Sequence, residues 1–285
     1  MYIHQHIFIG MKRMGLTLIC ISLCLYPPVK CTGQTQATAG QEVSSNGSSG
    51  PSMQSDPSAV EMLKLLLDQG GGRKAWSGIH SAKFKADVSM SGVSGTRSSL
   101  LVDDWSSRET KYRRKFEGRS EQPIEHNGTR TFAVRKGKDV KRVPEFDQAR
   151  VLLSHMPLAA AEILLRRPEY RVSLPKYRRC SSDSSCFDVY RAIGNSSVSL
   201  REQEWTISNS THLPTVIRYI LPNTGGGLMQ WKEIDFTQFA SVNGLSVPTD
   251  IDIKLPGGLK QHWHYSLLGT NVAFDAQVFD GEAVR

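Results

Sequence analysis

Cysteine is scarce in this chain, and the motifs of several common enzyme classes are missing from it. Only Cys180 and Cys186 lie beyond residue 31, and no second Cys or His pair stands near them at the spacing of a zinc site. No Gly-x-Ser-x-Gly stretch lies between a predicted strand and a predicted helix, which argues against an α/β-hydrolase nucleophile. The glycine runs at 70–72 and 225–227 lack the lysine and the spacing of a phosphate-binding loop. The sequence therefore predicts no catalytic site, no metal and no cofactor.

A long apolar run is also missing, and the short one near the N-terminus has the layout of a secretory signal. Lys12-Arg13 precedes an apolar stretch at 14–26, which Pro27-Pro28 ends. A helix that spans a membrane needs roughly 20 apolar residues, whereas a signal peptide needs about a dozen. We therefore expect residues 1–39 to be a signal peptide, with Met11 as an alternative start.

Small residues before position 40 suggest where this leader is cleaved. Ala37-Thr38-Ala39 predicts cleavage after Ala39, although an uncleaved N-terminal anchor is the alternative. Lipidation of Cys31 is less favoured, because Lys30 stands where a small residue is usual. Residues 40–55 are rich in Ser, Gly and Gln and predict a disordered linker. The protein is thus expected in the periplasm or outside the cell.

The two remaining cysteines fit an exported protein. Cys180 and Cys186 are separated by five residues, all serine or aspartate. In an oxidising compartment they would form a disulfide that contributes about 2 kcal/mol by closing a small loop. We expect this bond to fix a local hairpin and not the whole fold.

The chain is basic, with a formal net charge of +8 at pH 7. The densest basic cluster is Lys111-Tyr112-Arg113-Arg114-Lys115, and 135–142 adds further lysines and arginines. Such a patch can bind nucleic acid, but an exported protein rarely meets any. We interpret the basic strands as a solvated face that makes transient contact with a membrane surface.

Alternating polarity predicts strands over most of the chain. The last quarter is the clearest part, because 215–221, 250–255 and 272–278 alternate between apolar and polar residues. Helical patterns interrupt the strands twice. One begins at Asp56-Pro57, and the other spans 145–167, where Pro157 predicts a break into two short helices. The pattern predicts an α+β fold with one antiparallel sheet of about ten strands.

Three sets of polar residues could form sites, and each is better interpreted as ordinary strand residues. His262 and His264 share one strand face, but no third metal ligand is marked in the sequence. Asp103-Asp104 is consecutive and so points to opposite faces, while Asp250 and Asp252 alternate with isoleucines as on a solvated strand. We expect no catalysis at any of them.

Several short sequence segments follow one another along the chain. In order they are Trp76-Ser77-Gly78-Ile79-His80-Ser81, Glu109-Thr110-Lys111-Tyr112-Arg113-Arg114, Asn127-Gly128, Leu213-Pro214, Ile217-Arg218-Tyr219, Phe236-Thr237-Gln238-Phe239, Val242-Asn243-Gly244-Leu245 and Val247-Pro248. In these segments, and in the order of its predicted helices and strands, the chain from Pro57 to Phe279 resembles the LolA/LolB/LppX group of bacterial periplasmic lipoprotein carriers.

The resemblance implies a single LolA-like lipid-binding domain at 56–285. Its fold would be a strongly curved antiparallel half-barrel, with an N-terminal helix and a central helical lid over an apolar cavity. Its function would be to carry or bind a lipid or acyl chain without catalysis and without a cofactor. The alternative is an exported interaction or scaffold module whose core is filled. We expect a monomer.

The alternation of the strands also names the side chains that would face such a cavity. These candidates are Phe84, Val88, Met90, Leu101, Phe116, Phe132, Ile217, Tyr219, Ile253 and Tyr265.

Overall fold

A computed structural model of the chain describes residues 54–91, 97–108, 110–117, 132–135, 138–142, 147–192, 199–221, 230–255, 258–275 and 278–279. The predicted signal peptide at 1–39, nearly all of the predicted linker at 40–55 and the predicted turn at Asn127-Gly128 lie outside these residues. They stay predictions.

Four helices are found in the described residues. They are α1 (Pro57–Gln69), α2 (Arg73–Ser77), α3 (Gln148–Leu152) and α4 (Pro157–Arg166). α1 begins where the sequence predicts, because the carboxylate of Asp56 accepts a hydrogen bond of 2.8 Å from the backbone N–H of Ser58. Pro157 separates α3 from α4, which confirms the predicted break. None of the helices described is long and apolar enough to span a membrane.

The strands form one open antiparallel sheet, which confirms the predicted α+β fold. They are β1 (Ser81–Ser91), β2 (Arg97–Ser106), β3 (Lys111–Glu117), β4 (Phe132–Arg135), β5 (Lys138–Arg142), β6 (Tyr170–Ser173), β7 (Ser184–Ala192), β8 (Ser199–Ser208), β9 (Pro214–Leu221), β10 (Gln230–Val242), β11 (Leu245–Lys254) and β12 (Lys260–Thr270). Their order in the sheet is β4-β5-β3-β2-β1-β12-β11-β10-β9-β8-β7-β6. The described sheet has twelve strands, close to the predicted ten or so.

One face of the sheet, which we call the inner face, carries the core. In the middle of the sheet it presents Trp205, Ile217, Ile234 and Ile253 as one row across β8 to β11, and all four are buried. The helices α1, α3 and α4 supply the buried residues that pack with this face. The opposite face, the outer face, carries charged residues such as those of β11 and β12.

A disulfide joins Cys180 to Cys186, as the sequence predicts. Cys186 is buried in β7, and Cys180 lies in the loop that leads into that strand. The bond therefore ties this loop to the first residues of β7, near one edge of the sheet.

The turn between α1 and α2 rests on the hairpin that joins β10 to β11. The backbone N–H of Ser246 donates a hydrogen bond of 2.9 Å to the carbonyl of Gly70. Gly71 has a φ of 117°, and a Cβ there would stand 2.4 Å from the carbonyl oxygen of Gly244. Only glycine fits this position, because a side chain would meet both backbone strain and a backbone atom.

Replacing Gly71 by alanine is expected to lower the free energy of unfolding by about 2–4 kcal/mol, through positive-φ strain and steric overlap. Gly78→Ala is the matched control, since a Cβ at Gly78 would meet only backbone oxygens at 3.5 Å and its φ is −80°. Urea unfolding followed by circular dichroism measures both. Equal stability of the two variants would show that the α1–α2 turn does not depend on this close approach.

Candidate functional site

The predicted cavity residues lie on the inner face, where the structure describes them. Phe84, Val88, Ile217, Ile253 and Tyr265 are buried, while Met90 and Tyr219 are half-buried. The side chains of Leu101, Phe116 and Phe132 lie outside the described residues. These positions are therefore core positions, and their contact with a ligand stays a prediction.

The two central helices occupy the space over these residues. Every residue of α4 from Pro157 to Leu164 is buried, and α4 lies against β6 and β11. α3 buries Gln148, Ala149 and Leu152. The inner face is thus closed by the chain's own helices, and a ligand that bound there would have to displace them.

A buried polar cluster lies in the middle of this contact, and we call it the Asp103 cluster: Asp103, Tyr112, Arg114, His155 and Tyr265. Arg114 donates to both carboxylate oxygens of Asp103, at 2.9 Å from Nε and 2.7 Å from the other guanidinium nitrogen. The hydroxyl of Tyr112 donates to the same carboxylate at 2.8 Å. Asp103 is only 1% exposed, so its neighbours satisfy a charge that water cannot reach.

His155 links the helices to this cluster, because it lies in the connection between α3 and α4. Its Nε2 hydrogen-bonds to Asp103, and its Nδ1 lies 2.7 Å from the hydroxyl of Ser154. The ring packs edge-on against Phe84 at a centroid distance of 5.0 Å. A neutral ring that donates from Nε2 and accepts at Nδ1 satisfies both contacts.

The electrostatics of the cluster favour this arrangement. Burial opposes ionisation of Asp103, but the guanidinium of Arg114 and the hydrogen bonds outweigh it, so the pKa of Asp103 falls below its usual range. Burial lowers the pKa of His155 below 6.5, and Asp103 opposes this only in part. Burial likewise raises the pKa of Tyr265 well above 10.0. The cluster therefore contains one ion pair, Asp103 with Arg114, and a neutral histidine.

A second polar contact fixes α3 farther along the inner face. Arg150 of α3 donates to the carboxylate of Glu202 at 2.8 Å, and Arg191 of β7 donates to the same oxygen at 2.5 Å. A register shift between β7 and β8 leaves Glu202 without a partner residue in that ladder, and the residue is 1% exposed. Such a bulge turns an extra side chain toward the covered face.

The prediction of a solvated basic cluster on β3 is wrong for two of its arginines. Arg114 pairs with Asp103 on the inner face, and Arg113 pairs with Asp104 on the outer face. Asp104 is fully buried, and Arg113 also donates to the carbonyl of Val278 at 3.3 Å. The prediction that Asp103-Asp104 points to opposite faces is correct, but both carboxylates are buried.

A signal for these pairs is present in the sequence. Asp103 and Arg114 are equally far from the turn between β2 and β3, and so are Asp104 and Arg113. Opposite charges at matching distances from a short turn become directly opposed cross-strand pairs.

The other candidate polar residues lie on the outer face, as predicted. His262 Nδ1 lies 2.9 Å from Asp252, and His264 Nδ1 lies 2.7 Å from Asp250. Both imidazoles are at least half exposed. Within the residues described, no group of three or more His, Cys, Asp or Glu side chains is placed to hold a metal ion.

Comparisons with known proteins give structural likeness only. No protein-family model and no curated protein matches the chain. Among solved structures it is similar to a domain from Vibrio parahaemolyticus assigned as an outer membrane lipoprotein-sorting protein, at 11% identity and a TM-score of 0.47, covering 79% of this chain and 97% of that one. It is also similar to a LolA superfamily protein from Nitrosomonas europaea, at 12% identity and a TM-score of 0.45, covering 79% and 99%.

A DUF1329 family protein from Desulfovibrio piger is similar as well, at 13% identity and a TM-score of 0.44, covering 80% of this chain and 99% of that one. The likeness to the LolA group that the sequence indicates is therefore also found among solved structures, at the level of layout. At these identities and TM-scores the likeness carries no argument about a ligand.

The buried histidine predicts a pH dependence of stability. The pKa of His155 is lower in the folded protein than in the unfolded chain, so the unfolded chain binds a proton first as the pH falls below 6.5. Folding stability is therefore lost on the acid side. We expect His155→Gln to be less stable at neutral pH, and to lose less further stability between about pH 7.5 and about pH 5.5 than the wild type does.

His264→Gln serves as the matched control, because His264 changes stability with pH in the opposite direction. In the wild type, the hydrogen bond to Asp250 raises the pKa of His264. His264 therefore stabilises the protein below its unfolded pKa, and this stabilisation is lost as the pH rises through the folded pKa. Urea unfolding at several pH values measures how the free energy of unfolding of each protein changes with pH. If this pH dependence were the same in His155→Gln as in the wild type, the assignment of a neutral buried ring would be contradicted.

Proposed function

We propose that this protein is an exported, non-catalytic carrier that binds the acyl chain of a lipid against the inner face, where the acyl chain displaces the helices α3 and α4. The observation that supports this best is the pairing of a wide apolar sheet face with a cover made of two short helices. α3 has five residues and α4 has ten. Helices of this length are marginal on their own, so their order depends on the packing that a ligand would replace.

The energetics allow such an exchange. An acyl chain gains roughly 0.8 kcal/mol for each methylene that it buries. Lifting α4 would expose leucine and alanine side chains that are now buried, and would break the contact of His155 with Asp103. Because Arg114 and Tyr112 stay on the sheet, the carboxylate of Asp103 would keep its partners while the cover moves. Binding would then select a displaced state of the helices.

Export is part of the proposal and rests on the leader and on the disulfide. The signal-like pattern at 1–39 and the bond between Cys180 and Cys186 are both typical of proteins outside the cytoplasm. A periplasmic or extracellular monomer without a lipid anchor fits these features. Contact with a membrane surface would have to use basic residues other than Arg113 and Arg114, since buried carboxylates hold both.

One observation favours a second function, an interaction or scaffold module with no ligand. α4 is buried along nearly its whole length, so the described inner face is already filled. A filled core needs no ligand for stability. The two functions differ in whether an acyl chain ever replaces the helices.

Native mass spectrometry separates the two functions. We expect wild-type protein, gently purified and then mixed with monopalmitoylglycerol, to carry one acyl ligand per chain. Met90→Asp, on the inner face where it is half-buried, is expected to weaken binding by about tenfold or more, because a carboxylate beside an acyl chain is strongly disfavoured. Ser89→Asp, next in sequence and on the outer face, is the control and should bind as the wild type does.

Two results would oppose the proposal, the first its carrier function and the second its site. Bare wild-type protein at saturating monopalmitoylglycerol would favour the scaffold module. Equal binding by the Met90→Asp and Ser89→Asp variants would mean that the ligand lies away from the inner face. Circular dichroism of both variants checks that they are folded, so that a loss of binding is not mistaken for a loss of structure.

A further inference from the structure

A row of polar side chains crosses the inner face on three neighbouring strands. Gln203 of β8 is directly opposite Tyr219 of β9, which is directly opposite Lys232 of β10. Residues in register share one face, with Cβ atoms about 5 Å apart. The three side chains therefore stand side by side, two residues along the strands from the apolar row of Trp205, Ile217 and Ile234.

Lys232 has no carboxylate partner among the described residues. It contacts the ring of Tyr219, whose centroid lies 5.7 Å from the ammonium nitrogen. The stretch 222–229, which joins β9 to β10, contains no Asp or Glu. Lysines of the outer face differ, since Lys254 lies 2.6 Å from Glu233 and Lys260 lies 2.7 Å from Asp252.

The side-chain amide of Gln203 gives a second, independent indication that a hydrogen-bond partner is missing from this row. The residue is fully buried, and its amide oxygen accepts a hydrogen bond of 2.8 Å from the indole N–H of Trp205. Its amide nitrogen finds no hydrogen-bond partner in the described part of the chain. Buried amide donors are normally satisfied, so this one points to a group that the described residues do not supply.

The chemistry of the row defines that group. The side chains of Lys232, Gln203 and Tyr219 all offer hydrogen-bond donors, and one of them is a cation. We propose that these three residues bind the carboxylate head of a fatty acid, whose chain then lies along the apolar inner face. A carboxylate accepts several hydrogen bonds and neutralises the ammonium, and the apolar row beside it suits the methylenes. This inference rests on the proposed function and names its ligand class.

Titration with two ligands that share a chain but differ in the head tests the proposal. Palmitate and hexadecanol are added to the wild-type protein, and binding is followed by tryptophan fluorescence. We expect palmitate to bind at least about tenfold more tightly than hexadecanol, since a charge-assisted hydrogen bond is lost with the alcohol. Lys232→Met should remove most of this preference by weakening the binding of palmitate, while Lys232→Arg should retain it.

Lys85→Met is the matched control, because Lys85 is an exposed lysine on the outer face of β1. It should keep the preference for palmitate. If Lys232→Met proves unfolded by circular dichroism, Lys232→Gln replaces it with the same expectation. Equal binding of palmitate and hexadecanol by the wild type, or a preference that survives in Lys232→Met, would overturn the head-group site and leave the carrier function standing. Binding of neither ligand would refute the carrier function itself.

Discussion

The inner face of the sheet cannot stand open to water, because a row of buried Trp and Ile side chains runs across its middle. The chain covers this face with α3 and α4, and it fixes the cover at two polar points. His155 binds Asp103 at one, and Arg150 binds Glu202 at the other. Apolar packing provides the affinity of the cover, while the polar contacts define where it lies.

Both contacts leave a paired carboxylate on the sheet when the cover moves. Asp103 would retain Arg114 and Tyr112, both on β3, and Glu202 would retain Arg191 on β7. Neither carboxylate would be left as an isolated buried charge, which is the state that makes breaking a buried ion pair so costly. The sheet thus keeps its charges paired whether or not the helices lie on it. The proposed carrier function requires such a face, because its helices would have to move without leaving a buried charge unpaired.

Much of this fold could be predicted from the sequence, and the reasons differ between elements. Long alternating stretches mark β9 and β11, and Pro157 marks the break between α3 and α4, because both signals are local. The strand predicted at 272–278 is wrong where it is described, since 272–275 follow the end of β12 and form no strand. The buried ion pair of Asp103 with Arg114 does not follow from alternation alone, because it depends on the register of β2 with β3. Glu202 faces inward only through a bulge, which no periodicity reveals. Lys232 has no carboxylate partner among the described residues, and this depends on the register of β8, β9 and β10, which the sequence alone does not give.

Hydrogen exchange of the wild-type protein, measured by mass spectrometry with and without saturating palmitate, tests most directly whether an acyl chain displaces the helical cover. A ligand that takes the place of the helices should speed exchange of the amides in 148–166, while β1, β11 and β12 keep their protection. Slower or unchanged exchange in 148–166 on a protein shown to hold palmitate would contradict this displacement, because the acyl chain would then lie somewhere other than beneath α3 and α4.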